Sequence, residues 1–262
     1  MSRVLELDFT RGIAVNLMIL SHMGVFFFII LKNLPKNKST NFFLKSLTGL
    51  KMFTTLGLFA HTLFLILVGV NMVTSYKNTK NKETDDKAIK YEYTKKNVKR
   101  ALFIGLIGLV MSILTKVIFG NWYIIFGIFQ FIAVAILFSI PLQLYYNHVL
   151  VIGLILILLV INSLNIPTQN KLNFSSLIFG RISPKYKFLD FFPIIPYFIM
   201  VLIGLIIGNL DFNIKFSEKN KNNKIIKEIG NIGKWSIQLY FLHIVIIYGI
   251  IKIVIDKQQI KI

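Results

Sequence analysis

The stretch VIFGNWYIIFGIFQFIAVAILFSIPLQLYYNHVLVIGLILILLVINSLNIPTQN, residues 117–170, contains no aspartate, glutamate, lysine or arginine. It is too long for one buried helix, because about 20 apolar residues are enough to cross the hydrocarbon core of a bilayer. Two membrane-spanning helices joined by a tight turn account for it. The rest of the chain is similar, since 55% of the 262 residues are hydrophobic and the polar helix faces of a soluble protein are mostly missing. The sequence therefore predicts an all-α fold, a polytopic bundle of membrane helices.

Seven apolar runs have the length of a membrane span. Uncharged runs of about 17 to 25 residues predict spanning helices, here at residues 12–31, 52–76, 101–119, 122–144, 149–166, 191–210 and 235–251. We expect one domain over residues 1–262, in which the first run stays as a helix because it is too long for a cleavable signal. Trp122 and Trp235 fall at predicted span ends, where indole rings prefer the headgroup region. Residues 41–50 are a candidate interfacial helix.

The chain is strongly basic, with 30 Lys and Arg residues against 11 Asp and Glu, a formal net charge of +19. Most cations lie between the apolar runs, where they meet water and anionic headgroups, so we expect no nucleic-acid partner. The segments at about residues 77–100 and 211–234 are predicted to be solvated cytoplasmic loops. A cytoplasmic N-terminus puts 17 of the 30 cations on that side, as the positive-inside rule expects. Seven spans then place the C-terminus outside. The absence of cysteine excludes disulfides and thiol catalysis.

Four polar residues fall inside the predicted spans at similar depth. With a rise of 1.5 Å per residue, His22 lies about 16 Å along its helix from Arg11, and His61, Gln130 and His243 lie about 12 to 13 Å from the ends of theirs. Ionisable groups at membrane depth are costly and are candidates for function. The alternative is that neutral side chains bond across helices and hold the bundle together.

Two helix faces carry these groups together with other polar residues. Arg11 and His22 are 11 residues apart, close to three whole turns, and Asp8 lies one turn before Arg11, where it can pair with it. In the last span, Ser236, Tyr240 and His243 are spaced four and three apart, so they share a face. An imidazole can act as a base near neutral pH. For Ser236 and Tyr240, hydrogen bonding between helices is the alternative that the pattern favours.

Asp190 comes directly before the sixth predicted span, ahead of Pro193 and Pro196. Proline costs no hydrogen bond in the first turn of a helix, so the segment predicts a helix start with an acidic cap. Capping alone is enough to explain Asp190, and a role in orienting an acceptor is the weaker alternative. We expect no metal site, because the three histidines lie on different predicted helices without a carboxylate at the same depth.

Several segments together resemble one family of membrane enzymes. They are RVLELDFTRGIA (residues 3–14) with LMILSH (17–22), FLILVG (64–69), FGIFQFIA (126–133), DFFPIIPY (190–197) and GKWSIQLYFLH (233–243). Their order over nearly the whole chain resembles the heparan-alpha-glucosaminide N-acetyltransferase catalytic-domain-like family, which is related to the acyltransferase-3 membrane enzymes. Gln130 stands where that family commonly has histidine, and Tyr197 where it has tryptophan.

The resemblance implies acyl transfer across a membrane, from cytoplasmic acetyl-CoA to a hydroxyl or amine of a glycan or other cell-envelope acceptor. We expect this membrane to be the plasma membrane of a prokaryote. It implies that His22 activates the acceptor or carries the acyl group covalently, and that His243 supports it or shares the proton. The other residues are assigned to phosphate binding (Arg11, Lys99 and Arg100), to substrate binding (Asp190, Gln130 and Tyr240) and to support of the site (Asp8, His61 and Ser236). For Arg11, a role as an anchor of the first helix, paired with Asp8, is an equal alternative.

Two other functions remain open at this point. Histidines within spans can also form the proton relay of a small transporter. A third reading is a degenerate member that keeps the fold and has lost the activity. The sequence also leaves the formation of a homo-oligomer open.

Overall fold

The computed structural model describes residues 5–33, 49–120, 123–164, 166–169, 173–183, 185, 188, 190–210 and 222–258. Nine α-helices lie within these residues: α1 (Leu5–Asn33), α2 (Gly49–Lys80), α3 (Asp86–Phe119), α4 (Ile128–Leu144), α5 (His148–Ser163), α6 (Phe174–Phe179), α7 (Ile194–Asn209), α8 (Lys224–Lys234) and α9 (Ser236–Gln258). No strand occurs in the described part, which has two isolated β-bridges, Phe126 with Phe191 and Gln169 with Ile182. The all-α prediction is confirmed. Trp122 and residues 41–48 of the candidate interfacial helix lie outside the described residues.

Each of the seven predicted spans coincides with an apolar helix. Three described segments are long and apolar enough to cross a membrane, namely Leu5–Phe27, Lys51–Lys80 and Asp86–Ile118. Four further apolar helices are shorter, namely Ile128–Leu144, His148–Ser163, Ile194–Asn209 and Ser236–Ile247. The number of seven spans therefore stays a prediction.

The exposed surface of α5 is typical of a helix in lipid. Val151 is its one buried residue, and Val149, Leu150 and Val160 are 76%, 67% and 61% exposed. Apolar side chains with this exposure would be costly in water at about 25 cal/mol per Å². They are at no disadvantage against lipid tails.

The predicted loop at residues 77–100 is largely helical, which corrects the prediction. Helix α2 continues to Lys80 and α3 begins at Asp86. Asp85 caps α3 by accepting a hydrogen bond from the Ala88 N–H at 3.0 Å, and Lys90 pairs with Asp86 at 2.8 Å one turn later. Charges of opposite sign at helical spacing stabilise an exposed helix. A high content of charged residues is therefore compatible with a helix as well as with a loop and did not distinguish the two.

The predicted loop at residues 211–234 also contains a helix, α8. Asn223 caps it by accepting from the Ile225 N–H at 2.9 Å. Its buried residues are Gly230 and Gly233, while Lys224 and Glu228 point outward with side chains 90% and 62% exposed. The interpretation as a loop was wrong here because a short amphipathic helix needs only one packed face.

The chain divides into two compact units, the first formed by Met1–Phe64 and Asn213–Ile262 and the second by Leu65–Phe212. In the first unit, α1 packs along α8 and also contacts α9. The backbones of α1 and α8 approach very closely, since a Cβ on Gly12 would overlap the Ile229 carbonyl and one on Gly233 would overlap the Asp8 carbonyl. These glycines are therefore required by packing.

The second unit is joined by polar contacts as well as close helix packing. A Cβ on Gly69 of α2 would overlap the Val201 carbonyl of α7. Helices α4 and α7 exchange amide hydrogen bonds, with Asn209 Nδ2 donating to Gln143 Oε1 at 3.0 Å. Such bonds are favourable in lipid, where an unpaired amide has no water to bind.

The first prediction tests the α1–α8 contact. Gly233→Ala should lower the free energy of unfolding by about 1–3 kcal/mol, because the added methyl group overpacks the contact. Gly249→Ala is the matched control, since no atom lies within 4 Å of its added Cβ. The control should be neutral or more stable by up to about 1 kcal/mol. Thermal melting in detergent measures both, and equal melting temperatures would contradict the packing.

Candidate active site

The first unit brings His22 of α1 and His243 of α9 into direct contact. His22 Nδ1 lies 2.9 Å from His243 Nε2, which is a hydrogen bond between the two rings. The rings are 14° from parallel, with centroids 5.2 Å apart. The two histidines predicted to be catalytic are thus neighbours although they are far apart in the chain.

His243 is held in place by its own helix and by a neighbouring aromatic ring. Its Nδ1 lies 3.0 Å from the Leu239 carbonyl oxygen, one turn earlier in α9. Tyr240 stands edge-on to His243 at 5.1 Å and to His22 at 6.5 Å between centroids. Tyr240, His243 and Ser236 are all buried. The Leu239 carbonyl was not among the predicted site groups, although its position four residues before His243 could have suggested it.

His61, on the part of α2 that belongs to the first unit, interacts electrostatically with His22. His22 therefore has two histidines from other helices in its surroundings, His243 and His61. Neighbouring imidazoles can take up one proton and share it. Among the described residues, no group of three His, Cys, Asp or Glu side chains could hold a metal ion.

The ion pair predicted between Asp8 and Arg11 is present at the start of α1. Asp8 is 1% exposed, and its Oδ2 has no hydrogen-bond partner among the described atoms. The Arg11 side chain is 26% exposed. The pair therefore places a partly accessible guanidinium at the base of the helix that carries His22.

Gln130, in the second unit, joins α4 to α3. Its Oε1 accepts from the Gly127 N–H at 3.0 Å. Its Nε2 donates to the Gly108 carbonyl at 2.8 Å and to Ser112 Oγ at 2.7 Å. Both amide hydrogens are used, so Gln130 fixes the start of α4 against α3. Lys99 and Arg100 are exposed side chains on α3 of the same unit.

Asp190 caps a different helix from the one that its sequence position indicates. Its Oδ2 accepts from the Ile128 N–H at 3.2 Å, at the start of α4. Helix α7, which follows Asp190, has Pro193 at its N-cap and no side-chain cap. Burial raises the pKa of the Asp190 carboxyl from its ordinary value of 3.8 to about 7, and hydrogen bonds from the backbone of Ile128 and Phe191 oppose this rise. Asp190 does cap a helix, as predicted, but the capped helix is α4 and not the helix that follows Asp190 in the chain.

Comparison with known proteins identifies one family. A family profile described as "Heparan-alpha-glucosaminide N-acetyltransferase, catalytic" matches residues 3–245. No curated protein and no solved structure matches the chain.

The second prediction concerns Asp190. The pKa of this carboxyl is about 7 in the folded protein, whereas its ordinary value, which applies to the unfolded chain, is 3.8. The folded state therefore binds the proton more tightly than the unfolded chain does. The stability contributed by this group should therefore rise as the pH falls from about 7 towards 3.8.

Asp190→Asn keeps an oxygen that can accept from the Ile128 N–H and does not titrate. Melting temperatures of wild type and Asp190→Asn between pH 5 and pH 8 provide the test. As the pH falls, the melting temperature of wild type should rise relative to that of the variant. The rise should be roughly 2–4 °C for each kcal/mol of added stability in a chain of this size. A constant difference over that range would show that Asp190 titrates at its ordinary pKa.

Proposed function

Because the chain belongs to the heparan-alpha-glucosaminide N-acetyltransferase catalytic family, we propose that it is a membrane acetyltransferase that uses acetyl-CoA from the cytoplasm. The acceptor is a hydroxyl or amine of a glycan or another component of the cell envelope. The observation that carries the proposal is the hydrogen bond of 2.9 Å between His22 and His243. Acyl transfer needs a base that takes a proton from the acceptor, and an imidazole is the side chain best suited to that task near neutral pH.

In the proposed reaction, His22 is the general base. The acceptor oxygen or nitrogen forms a bond to the acetyl carbonyl carbon while its proton moves to His22. The bond between that carbon and sulfur then breaks, and CoA leaves as a thiolate. The proton held by His22 passes to the thiolate, which returns the imidazole to its neutral form. His243 accepts a hydrogen bond from the His22 ring throughout and helps to spread the positive charge.

The remaining assignments concern substrate binding. We assign Arg11, Lys99 and Arg100 to the phosphates of CoA, because guanidinium and ammonium groups are the usual partners of phosphate. We assign Tyr240, Asp190 and Gln130 to the acceptor side. For Asp190 and Gln130 the assignment is indirect, since their hydrogen bonds hold the start of α4.

The third prediction tests the activity and the base together. Membranes that contain the wild-type protein should transfer label from [acetyl-¹⁴C]CoA to glucosamine or to an endogenous glycan or lipid. His22→Ala should lower the rate about 10²-fold to 10⁴-fold, the usual contribution of a general base. The control is His148→Ala, since His148 is an exposed residue at the start of α5 and its loss should leave the rate unchanged.

Two results would overturn this function. If no labelled product forms with protein that is folded and inserted, the chain is a transporter or an inactive member of the family. If His22→Ala transfers label as fast as wild type does, His22 is not the base. Acid quenching followed by mass spectrometry tests the route, because direct transfer leaves no acetylated His22.

The fourth prediction tests the side from which the donor arrives. The chain has no cysteine, so single cysteines can be introduced without background labelling. Lys82 lies in the turn between α2 and α3, and Lys185 lies between α6 and α7; both are exposed. A membrane-impermeant maleimide should label Lys82→Cys only from the cytoplasm and Lys185→Cys only from outside. The reverse pattern would contradict a cytoplasmic donor.

A further inference from the structure

We infer that His243 is a positioning residue that sets the tautomer of His22, so that Nε2 of His22 carries the lone pair that takes the acceptor proton. The catalytic meaning of this inference rests on the proposed function, whereas the tautomer itself follows from three groups in the first unit. These are the Leu239 carbonyl, the His243 ring and the His22 ring.

The Leu239 carbonyl determines which nitrogen of His243 carries hydrogen. His243 Nδ1 lies 3.0 Å from this oxygen with the alignment of a hydrogen bond. A carbonyl oxygen can only accept, so the hydrogen must be on Nδ1. The oxygen belongs to the backbone of α9, which holds it in a fixed position relative to the ring.

The state of His243 then determines that of His22. A neutral imidazole has one N–H, so Nε2 of a neutral His243 has a lone pair and can only accept. The atom 2.9 Å away is His22 Nδ1, which must therefore donate. In a neutral His22 the hydrogen on Nδ1 leaves Nε2 with its lone pair.

The same order holds after a proton has been taken up. Two imidazolium rings could not form this bond, because both facing nitrogens would carry hydrogen. One added proton goes to His22 Nε2 and leaves the bond from His22 Nδ1 to His243 Nε2 in place. The charge can then be shared, since moving the Nδ1 hydrogen to His243 puts the cation on a ring whose other N–H is bonded to the Leu239 carbonyl. His243 thus acts through His22, as the partner that orients a base does in other enzymes.

Two substitutions of similar size and polarity separate positioning from packing. In His243→Gln the amide oxygen reaches about as far as Nε2 of histidine, so it can still accept from His22 Nδ1. In His243→Asn the amide ends near the position of Nδ1, where it can still bond to the Leu239 carbonyl but cannot reach His22. If the contact with the Leu239 carbonyl had only a structural role, His243→Asn should keep more of the activity than His243→Gln does.

The direct measurement is ¹⁵N NMR of protein labelled at histidine, in lipid nanodiscs, because protonated and unprotonated ring nitrogens have well separated shifts. His22 should be protonated at Nδ1 in wild type and in His243→Gln, and should lose that preference in His243→Asn. The rate of acetyl transfer should follow the tautomer, within a few-fold of wild type for Gln and reduced about 10²-fold to 10⁴-fold for Asn. Melting temperatures identify any variant that fails to fold.

Each outcome has a distinct meaning. If His22 of wild type is protonated at Nε2, or if Gln and Asn have the same tautomer and the same rate, the inference is wrong. If the tautomers are as assigned but wild type transfers no acetyl group, the assignment of the His22 tautomer by His243 stands and the proposed function fails. If transfer occurs and His243→Asn keeps the full rate, the function stands and His243 has no positioning role.

Discussion

A bilayer offers no hydrogen-bond partners, and this constraint shapes the whole molecule. Backbone N–H and C=O groups at membrane depth must be satisfied within the chain, which favours helices, and polar side chains there must bond across helices or remain unpaired at a cost. Gln130 bonds to Gly108 and Ser112, and Gln143 bonds to Asn209. His22 meets the same constraint with a bond between two imidazoles, in which Nδ1 of His22 lies 2.9 Å from Nε2 of His243.

The apolar helices could be predicted from the sequence because their signal is local. An uncharged run of span length has few other stable states in lipid, and each predicted run coincides with a helix. The charged segments were harder to predict. Lysines show that a segment meets water, but they do not show whether it is coiled, and both α8 and the start of α3 were interpreted as loops. The glycine contact that holds α8 against α1 involves Gly12 and Gly233, residues whose pairing no local pattern reveals.

In the candidate site, too, some features follow from the local sequence and others depend on contacts between residues that are far apart in the chain. Counting residues along straight helices at 1.5 Å each was enough to place His22 and His243 at one depth, and the structure joins them. Asp190 shows where such reasoning stops, because the N–H that it caps belongs to Ile128, 62 residues away in the chain. A cap is usually sought in the helix that follows it. The tautomer of His22 could not be predicted from the sequence either. It depends on the distance between the Leu239 carbonyl and the His243 ring, which only the structure provides.

Gln130 bears on how the acid–base chemistry is distributed. The sequence resembles a family in which histidine is common at that position, so a base could be expected there. In this chain the amide donates two hydrogen bonds and accepts a third, a combination that a neutral imidazole with one donor and one acceptor cannot make. The substitution therefore replaces a group that can titrate with one that fastens α4 to α3. In the proposed reaction, proton transfer therefore falls to the histidines of the first unit, where a hydrogen bond joins the His22 and His243 rings.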